Sequence, residues 1–419
     1  MRIEVPYGEG AQVAELSYPW EVEEVHLRPY PGEPDEREEI ERALDRPLDF
    51  DWGDLRGARS AVIVVSDSTR PVPNKLILPP LLERLKEAGL EPSRMKILVG
   101  TGLHRPASEE ELRTLRDITG GAVEVISHNA YALGILEESG SSSQGTPIFI
   151  NRHYLEAEMR VIVGMIDPHQ IVGYSGGAKG VVIGCGGEAT IRANHSLLRL
   201  PGSELGRVEG NPAREDIDDI GGRIGINLIV NVILDGRGRV ARAVAGHYFK
   251  AHRKGVEIAR QICEVPVTGP ADLVIASAGG FPKDINLYQA QKGLAHATRI
   301  VKEGGTIILC AECREGAGDD RFVEAMREGR TVEGVLTSFA SQEFRMGAHK
   351  AYLWCRSLKK ARVILVSRGI DQDMAKIMQV TPAANLAEAL QLAAEHLPLN
   401  ARVAVLPKAN STIPYVKEA

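Results

Sequence analysis

ARSAVIVVSDSTRPVPNK, Ala58–Lys75, is the stretch that decides the fold. Its first half is an unbroken apolar, β-branched run of the kind buried on both faces of a parallel sheet. The run stops at Asp67, and Pro71 and Pro73 forbid its continuation as a strand. A helix is predicted to follow and to end near Ala88, with Pro79 and Pro80 in its first turn. Outward from here the same unit recurs. MKILVG (Met95–Gly100), VEVIS (Val123–Ser127), RVIVGMI (Arg160–Ile166) and LIVNVILD (Leu228–Asp235) read as further strands. A helix is expected to open at Ser108, where Glu109–Glu111 favour the positive end of its dipole.

A helical stretch near His247 to Ile262 leads to VPVTGPA, read as a hinge around Thr268. A second alternation then begins with ADLVIASAGG (Ala271–Gly280), and GGTIILCAE, RVILVS and RVAVLP supply its later strands. Strand–helix alternation in both halves predicts an α/β protein of two domains with mainly parallel sheets. The expected division is an N-terminal domain, 1–267, that carries the chemical motifs, and a C-terminal Rossmann-like domain, 268–419. A length of 419 residues suits two or three domains.

Hydrophobic content of 43% and charged content of 25% are those of a globular chain. The net charge of −6, with no basic block, gives no reason to expect a nucleic-acid partner. No apolar run reaches membrane-spanning length, and MRIEVPYGEG lacks the apolar core of a signal peptide. Five cysteines fit a reducing cytoplasm. The expected location is therefore cytoplasmic, with no membrane partner, as a monomer or homodimer.

Ligands of open α/β sheets bind beyond the carboxyl ends of strands. Four marked segments fall at such ends: Asp67–Arg70, Thr101–Arg105, Asp167–Lys179 and Gly279-Gly280. Asp67 and Arg70 either pair with one another or place a guanidinium for a substrate carboxylate. His104, between Gly102 and Pro106, is placed as a base would be. DPHQIVGYSGGAKG encloses Lys179, ten residues after His169 and sixteen before His195. An amine in a glycine turn can clamp a phosphate, act as a base or anchor a group covalently. The turn lacks the Walker spacing, although its amides could still cradle a phosphate. Cys310-Ala-Glu-Cys313 has no second cysteine pair, so a zinc site is disfavoured. Cys185 reads equally as a close-packing residue or a cofactor neighbour. Gln289 and Lys292 share one helix face. The remaining histidines, including His128, His252 and His296, read as core or surface residues.

SDSTRPVPNK, GTGLHRP, DPHQIVGYSGGAKG, ANHS and LYQAQKG together resemble the lactate racemase family, the nickel-pincer-dependent 2-hydroxyacid racemases and epimerases. These motifs span roughly residues 66 to 293, in family order. The resemblance implies an active site in the cleft between the domains and a nickel-pincer nucleotide made by separate cofactor-biosynthesis enzymes. It implies that Lys179 tethers the nucleotide through a thioamide, that His195 completes the nickel coordination, and that Ser175, Gly176 and Gly177 meet its phosphate. His104 and His169 would be the acid/base pair. Arg70 and Lys292 would hold the carboxylate of a small hydroxyacid, supported by Asp67 and Gln289. The implied reaction is inversion of C2 by reversible hydride transfer. Gln170, Ile171, Ala178 and Ile183 depart from the pattern expected of lactate enzymes, and Gln170 points to a longer sugar acid, an aldonate 2-epimerase. The alternatives from the residues alone are a hydrolase with a metal on His104, His169 and His195, and a non-catalytic cofactor-binding protein.

Overall fold

The structure, a computed structural model, describes the chain apart from residues 17, 33–34, 56, 342–343, 346 and 418–419. It forms two compact units, Pro29–Ile262 and Met1–Arg28 together with Cys263–Ala419. Both are α/β, as expected, but the division at 267/268 shifts at each end. Arg2–Tyr7 pairs with Gly10–Glu15 in a hairpin. Its alternate residues Ile3, Val5 and Tyr7 share a core with Leu273, Ile275 and Val403. Strand β1 (Glu21–Glu24) pairs in parallel with Arg402–Leu406. The first 28 residues therefore belong with the C-terminal part, because that is where their apolar face finds partners. At the other end Glu264–Val267 is a strand paired with Ile413–Val416. Pro266 is tolerated because that sheet has only two strands.

The unit Pro29–Ile262 carries the motifs. In chain order it contains β2 (Ala61–Ser66), α1 (Asn74–Glu87), β3 (Met95–Gly100), α2 (Glu109–Ile118), β4 (Glu124–Ser127) and β5 (Met159–Met165). These are followed by α3 (Lys179–Val182), α4 (Glu188–Ser196), α5 (Pro212–Ile224), β6 (Leu228–Leu234), β7 (Val240–Gly246) and α6 (Tyr248–Cys263). The sheet order is β7-β6-β5-β2-β3-β4. All neighbours are parallel except β6 and β7. The chain runs outward from β2 to β3 and β4, then returns to lay β5 on the other side of β2. The strand order reverses between β2 and β5, and a ligand crevice is expected at that point.

Two local outcomes refine the sequence reading. Ser108 caps α2 with its side chain, and Glu111 closes the capping box. Helix α1 starts at Asn74, so Pro79 and Pro80 lie inside it and not in its first turn. Ile77, Leu78, Leu81, Leu82 and Leu85 form its buried face. Neither proline is on that face, so water can take the carbonyls that their missing N–H groups leave unbonded.

The second unit has β8 (Ala271–Ser277), α7 (Leu287–Ala297), β9 (Val301–Cys310), β10 (Arg362–Val366), β11 (Thr381–Ala383) and β12 (Arg402–Leu406). They form an all-parallel sheet ordered β11-β10-β9-β8-β12-β1. Among the described residues no helix is long and apolar enough to cross a membrane.

Candidate active site

The carboxyl end of β2 runs into Asp67. Its Oδ1 accepts hydrogen bonds from the Thr69 amide (3.2 Å) and hydroxyl (2.6 Å), which closes a tight turn. Its Oδ2 lies 2.6 Å from Nδ1 of His104. Burial alone would raise the Asp67 pKa. The bonds from His104 and Thr69, with the charge of Arg70, outweigh it and hold the carboxyl below its ordinary value. An ionised Asp67 can only accept, so His104 carries a proton on Nδ1, and in the neutral imidazole the lone pair then lies on Nε2. The His104 side chain is 44% exposed, so that lone pair is accessible. Asp67 and Arg70 do not form an ion pair. Arg70 is half-buried and forms none with any described residue, while its charge acts on both Asp67 and Lys179.

The loop carrying His104 is fixed from two sides. A Cβ on Gly100 would lie 3.1 Å from Gly184 Cα, and the Gly102 amide donates to Gly184 O at 2.9 Å. Arg105 and Ser68 both bind Glu111, whose pKa falls to about 2 chiefly through Arg105. The turns after β2 and β3 are thus tied to the capping box of α2.

After β5 the chain folds a short antiparallel ladder, Pro168 opposite Tyr174 and His169 opposite Gly173. His169 Nδ1 accepts from the amides of Ile171 (3.3 Å) and Val172 (3.4 Å). Its proton therefore resides on Nε2, the reverse of His104. Gln170 is 8% exposed, and its Nε2 finds no partner among the described residues.

Lys179 opens α3. Burial first, then the positive charges of Arg70 and Arg214, push its pKa down to about 7, against a smaller opposing effect of Asp67. The preceding turn has Gly176 at φ +86° and Gly177 at φ +60°. A Cβ on Gly176 would lie 2.7 Å from Asn231 Oδ1, and one on Gly177 would lie 3.0 Å from the His252 ring. These glycines are therefore demanded by protein behind the turn as well as by any ligand in front. The Ser175 hydroxyl donates to Met165 O and accepts from the Asp167 amide. The Gly177 amide donates to Asn231 Oδ1 at 2.8 Å. Ser175 and Gly177 thus use these groups to build the turn.

His195 lies on α4. Its neighbour Asn194 is structural, donating to Ala213 O and Asp216 Oδ2 and so fastening α4 to α5. Helix α5 in turn meets the Lys179 segment at Ala178, where a Cβ on Gly221 would come 2.5 Å from Ala178 Cβ. Ala178 is fully buried, so a basic residue has no room there. In the second unit Gln289 Oε1 accepts from Lys292 Nζ at 2.9 Å on α7.

Among the described residues no three His, Cys, Asp or Glu side chains are arranged to hold a metal ion. The three-histidine centre of the hydrolase alternative is therefore not formed. Cys185, Cys310 and Cys313 are buried, and burial raises their thiol pKa values. Three residues that sequence reasoning missed support the Lys179 turn: Arg214, Asn231 and His252. Asn231 alone left a trace, as a polar residue inside the apolar run LIVNVIL.

The lactate racemase N-terminal domain family matches residues 7–206, and the lactate racemase C-terminal domain family matches residues 267–413. A lactate racemase of Thermoanaerobacterium thermosaccharolyticum is 32% identical over 424 residues, covering 98% of each chain. A lactate racemase of Lactiplantibacillus plantarum is 32% identical over 385 residues, covering 89% of each. The solved lactate racemase apoprotein from T. thermosaccharolyticum superposes with a TM-score of 0.90 at 31% identity over all of both chains. A Thermotoga maritima protein shares the fold at TM-score 0.68 and 18% identity, covering 91% of this chain and 97% of its own.

Proposed function

This chain belongs to the lactate racemase family, and on that premise we propose that it is a nickel-pincer-dependent isomerase that inverts C2 of a 2-hydroxy acid. The observation that carries the reading is that Nδ1 of the two histidines meets opposite partners, a carboxylate oxygen at His104 and two backbone amides at His169. Inversion needs one group ready to take a proton and one ready to give it. In this reading His104, oriented by Asp67, takes the proton at Nε2, and His169, oriented by two backbone amides, gives one from Nε2.

The residues also fit the cofactor. An amine pushed down to about 7 is substantially neutral at physiological pH, as a lysine must be to form a thioamide. The protein by itself supplies no three-donor metal centre, so nickel held by His195 needs further donors, which a carbon–sulfur pincer provides. When bound, that group would supply reversible acceptance of the C2 hydride. In this reading His104 removes the hydroxyl proton. Arg70 holds the carboxylate while the planar 2-oxo acid turns. His169 returns a proton to the oxygen once the opposite face is presented, and the reverse direction exchanges the two roles. For Gln289 and Lys292 as substrate ligands the support is the LYQAQKG motif.

Gln170 extends the reading to a polyhydroxy acid of the aldonate class. A buried amide donor left unmet costs about 1–3 kcal/mol, and a substrate hydroxyl would recover that. The test is a chiral assay over lactate, glycerate and gluconate with protein co-produced with the pincer-making enzymes and nickel. Turnover of lactate alone would remove the aldonate reading. Mass spectrometry of the same protein should find an adduct on Lys179 that survives denaturation. Absence of any adduct from a host shown to make the cofactor would overturn the nickel-pincer assignment.

A further inference from the structure

We propose that Arg214, Asn231 and His252 act together as the positioning device of the Lys179 turn, a role that rests on Lys179 being the cofactor anchor. Three consecutive residues of this turn are each gripped by a side chain from a different element. His252 Nε2, on α6, donates to Ser175 O at 2.9 Å. Arg214 Nη1, on α5, donates to Gly176 O at 3.1 Å. Asn231 Oδ1, on β6, accepts from the Gly177 amide at 2.8 Å. All three side chains are fully buried, where solvent cannot substitute for them.

The turn needs such a device. Gly176 and Gly177 both take positive φ, which glycine adopts about as readily as negative φ, so their own backbone preference does not fix the turn. Helix α3 has only four residues, too few to hold a fixed direction without tertiary support. The lysine it presents is therefore aimed by what lies behind the turn.

The device is itself braced. Asp218 binds the Arg214 guanidinium and accepts from Arg253 Nη2 at 3.0 Å. Arg253 Nη1 reaches His252 Nδ1 at 3.1 Å. Burial and the Arg214 charge hold the His252 pKa at about 3, so its ring is neutral with one proton. That proton is on Nε2, facing Ser175 O, because Nδ1 accepts from Arg253. Arg214 has a second effect, since its charge is one of those that lower the Lys179 pKa, with Arg70 from the β2 turn acting the same way and Asp67 against. One residue thus aims the amine and helps keep it neutral.

The test uses the apoprotein and competitive acetylation with acetic anhydride, read at Lys179 by peptide mass spectrometry between pH 6 and 9. Wild-type Lys179 should titrate near pH 7. Arg214→Met should raise that midpoint and cut the labelling rate at pH 7 at least fivefold, and Arg214→Lys should restore most of it. His252→Phe fills the same space without the bond to Ser175, and should lower the yield of the Lys179 adduct at least fivefold on co-production with the pincer-making enzymes. His252→Gln, which keeps a donor, should recover the yield. His252→Phe keeps the Arg214–Asp218 pair, so it decides the matter if Arg214→Met does not fold. A folded Arg214→Met with wild-type labelling, or equal yields from His252→Phe and His252→Gln, would overturn the proposal. If wild type gains no adduct in a competent host, the cofactor assignment fails, while the labelling still judges whether Arg214 sets the state of Lys179.

Discussion

Asp67 illustrates how a single carboxylate decides which nitrogen of a histidine carries the proton. The sequence motif offered it as a partner of Arg70, and the structure gives it to His104 instead. Asp67→Asn can still reach Nδ1, but its amide would favour the other tautomer and remove the lone pair from Nε2. Racemisation should fall by roughly 10²- to 10⁴-fold in a chiral assay, with the Lys179 adduct unchanged in denatured mass spectra. His104→Ala should lose as much. At Lys179 the consequence is thermodynamic. Its folded pKa, about 7, lies below the ordinary 10.5, so between those values the unfolded chain binds the extra proton. Apoprotein stability from this group therefore rises with pH across that window. Urea melts at pH 7 and pH 9.5 should show a larger gain for wild type than for Lys179→Met. None of this was legible from residue types alone. His104, His169 and Lys179 stood out by their glycine and proline settings, but the proton placement of His104 depends on Asp67, distant in the chain, and that of His169 on how its own loop folds back onto Nδ1. Arg214 and His252 had no local signal at all.

Helices and strands were more legible than their ends. Continuous apolar runs marked β2, β3, β5 and β6 because strands buried on both faces leave no alternation to misread. Ser108 with Glu111 marked the start of α2, since both halves of a capping box lie within four residues. The start of α1 was missed because prolines usually mark a first turn, and here they tolerate the second by facing away from the core. Helix α5 matters most for the site, and its signal, Asn211-Pro212 at the N-terminus, is short. Its Gly221 permits the approach to Ala178. Gly221→Ala should gain helix propensity yet lose about 1–3 kcal/mol net through overpacking, measured by denaturant titration. It should also reduce adduct formation at Lys179. Equal or greater stability would mean that α5 can shift without disturbing the turn.

At the level of the whole molecule, two α/β units and their parallel sheets follow directly from the alternation of runs. The assignment of the first 28 residues does not. β1 reads EVEE, with one apolar residue, and nothing local says that it adds to a sheet whose other strands begin at Ala271. The continuous segment 29–262 should fold by itself, with a cooperative melt and a dispersed NMR spectrum. A chain lacking residues 1–28 should keep that transition and lose the other, because Ile3, Val5 and Tyr7 leave a core shared with Leu273, Ile275 and Val403.

That shared core also sets a timetable on the ribosome. β1 ends at Glu24, but its neighbour β12 starts only at Arg402. At about 5–20 residues per second the hairpin and β1 wait on the order of 20–80 s for their sheet, with an apolar face uncovered. Meanwhile the segment that bears Lys179 and both histidines is complete and free to fold. Nascent molecules therefore pass through a stage in which one unit is finished and the other is held open at its first strand, a natural client for a chaperone.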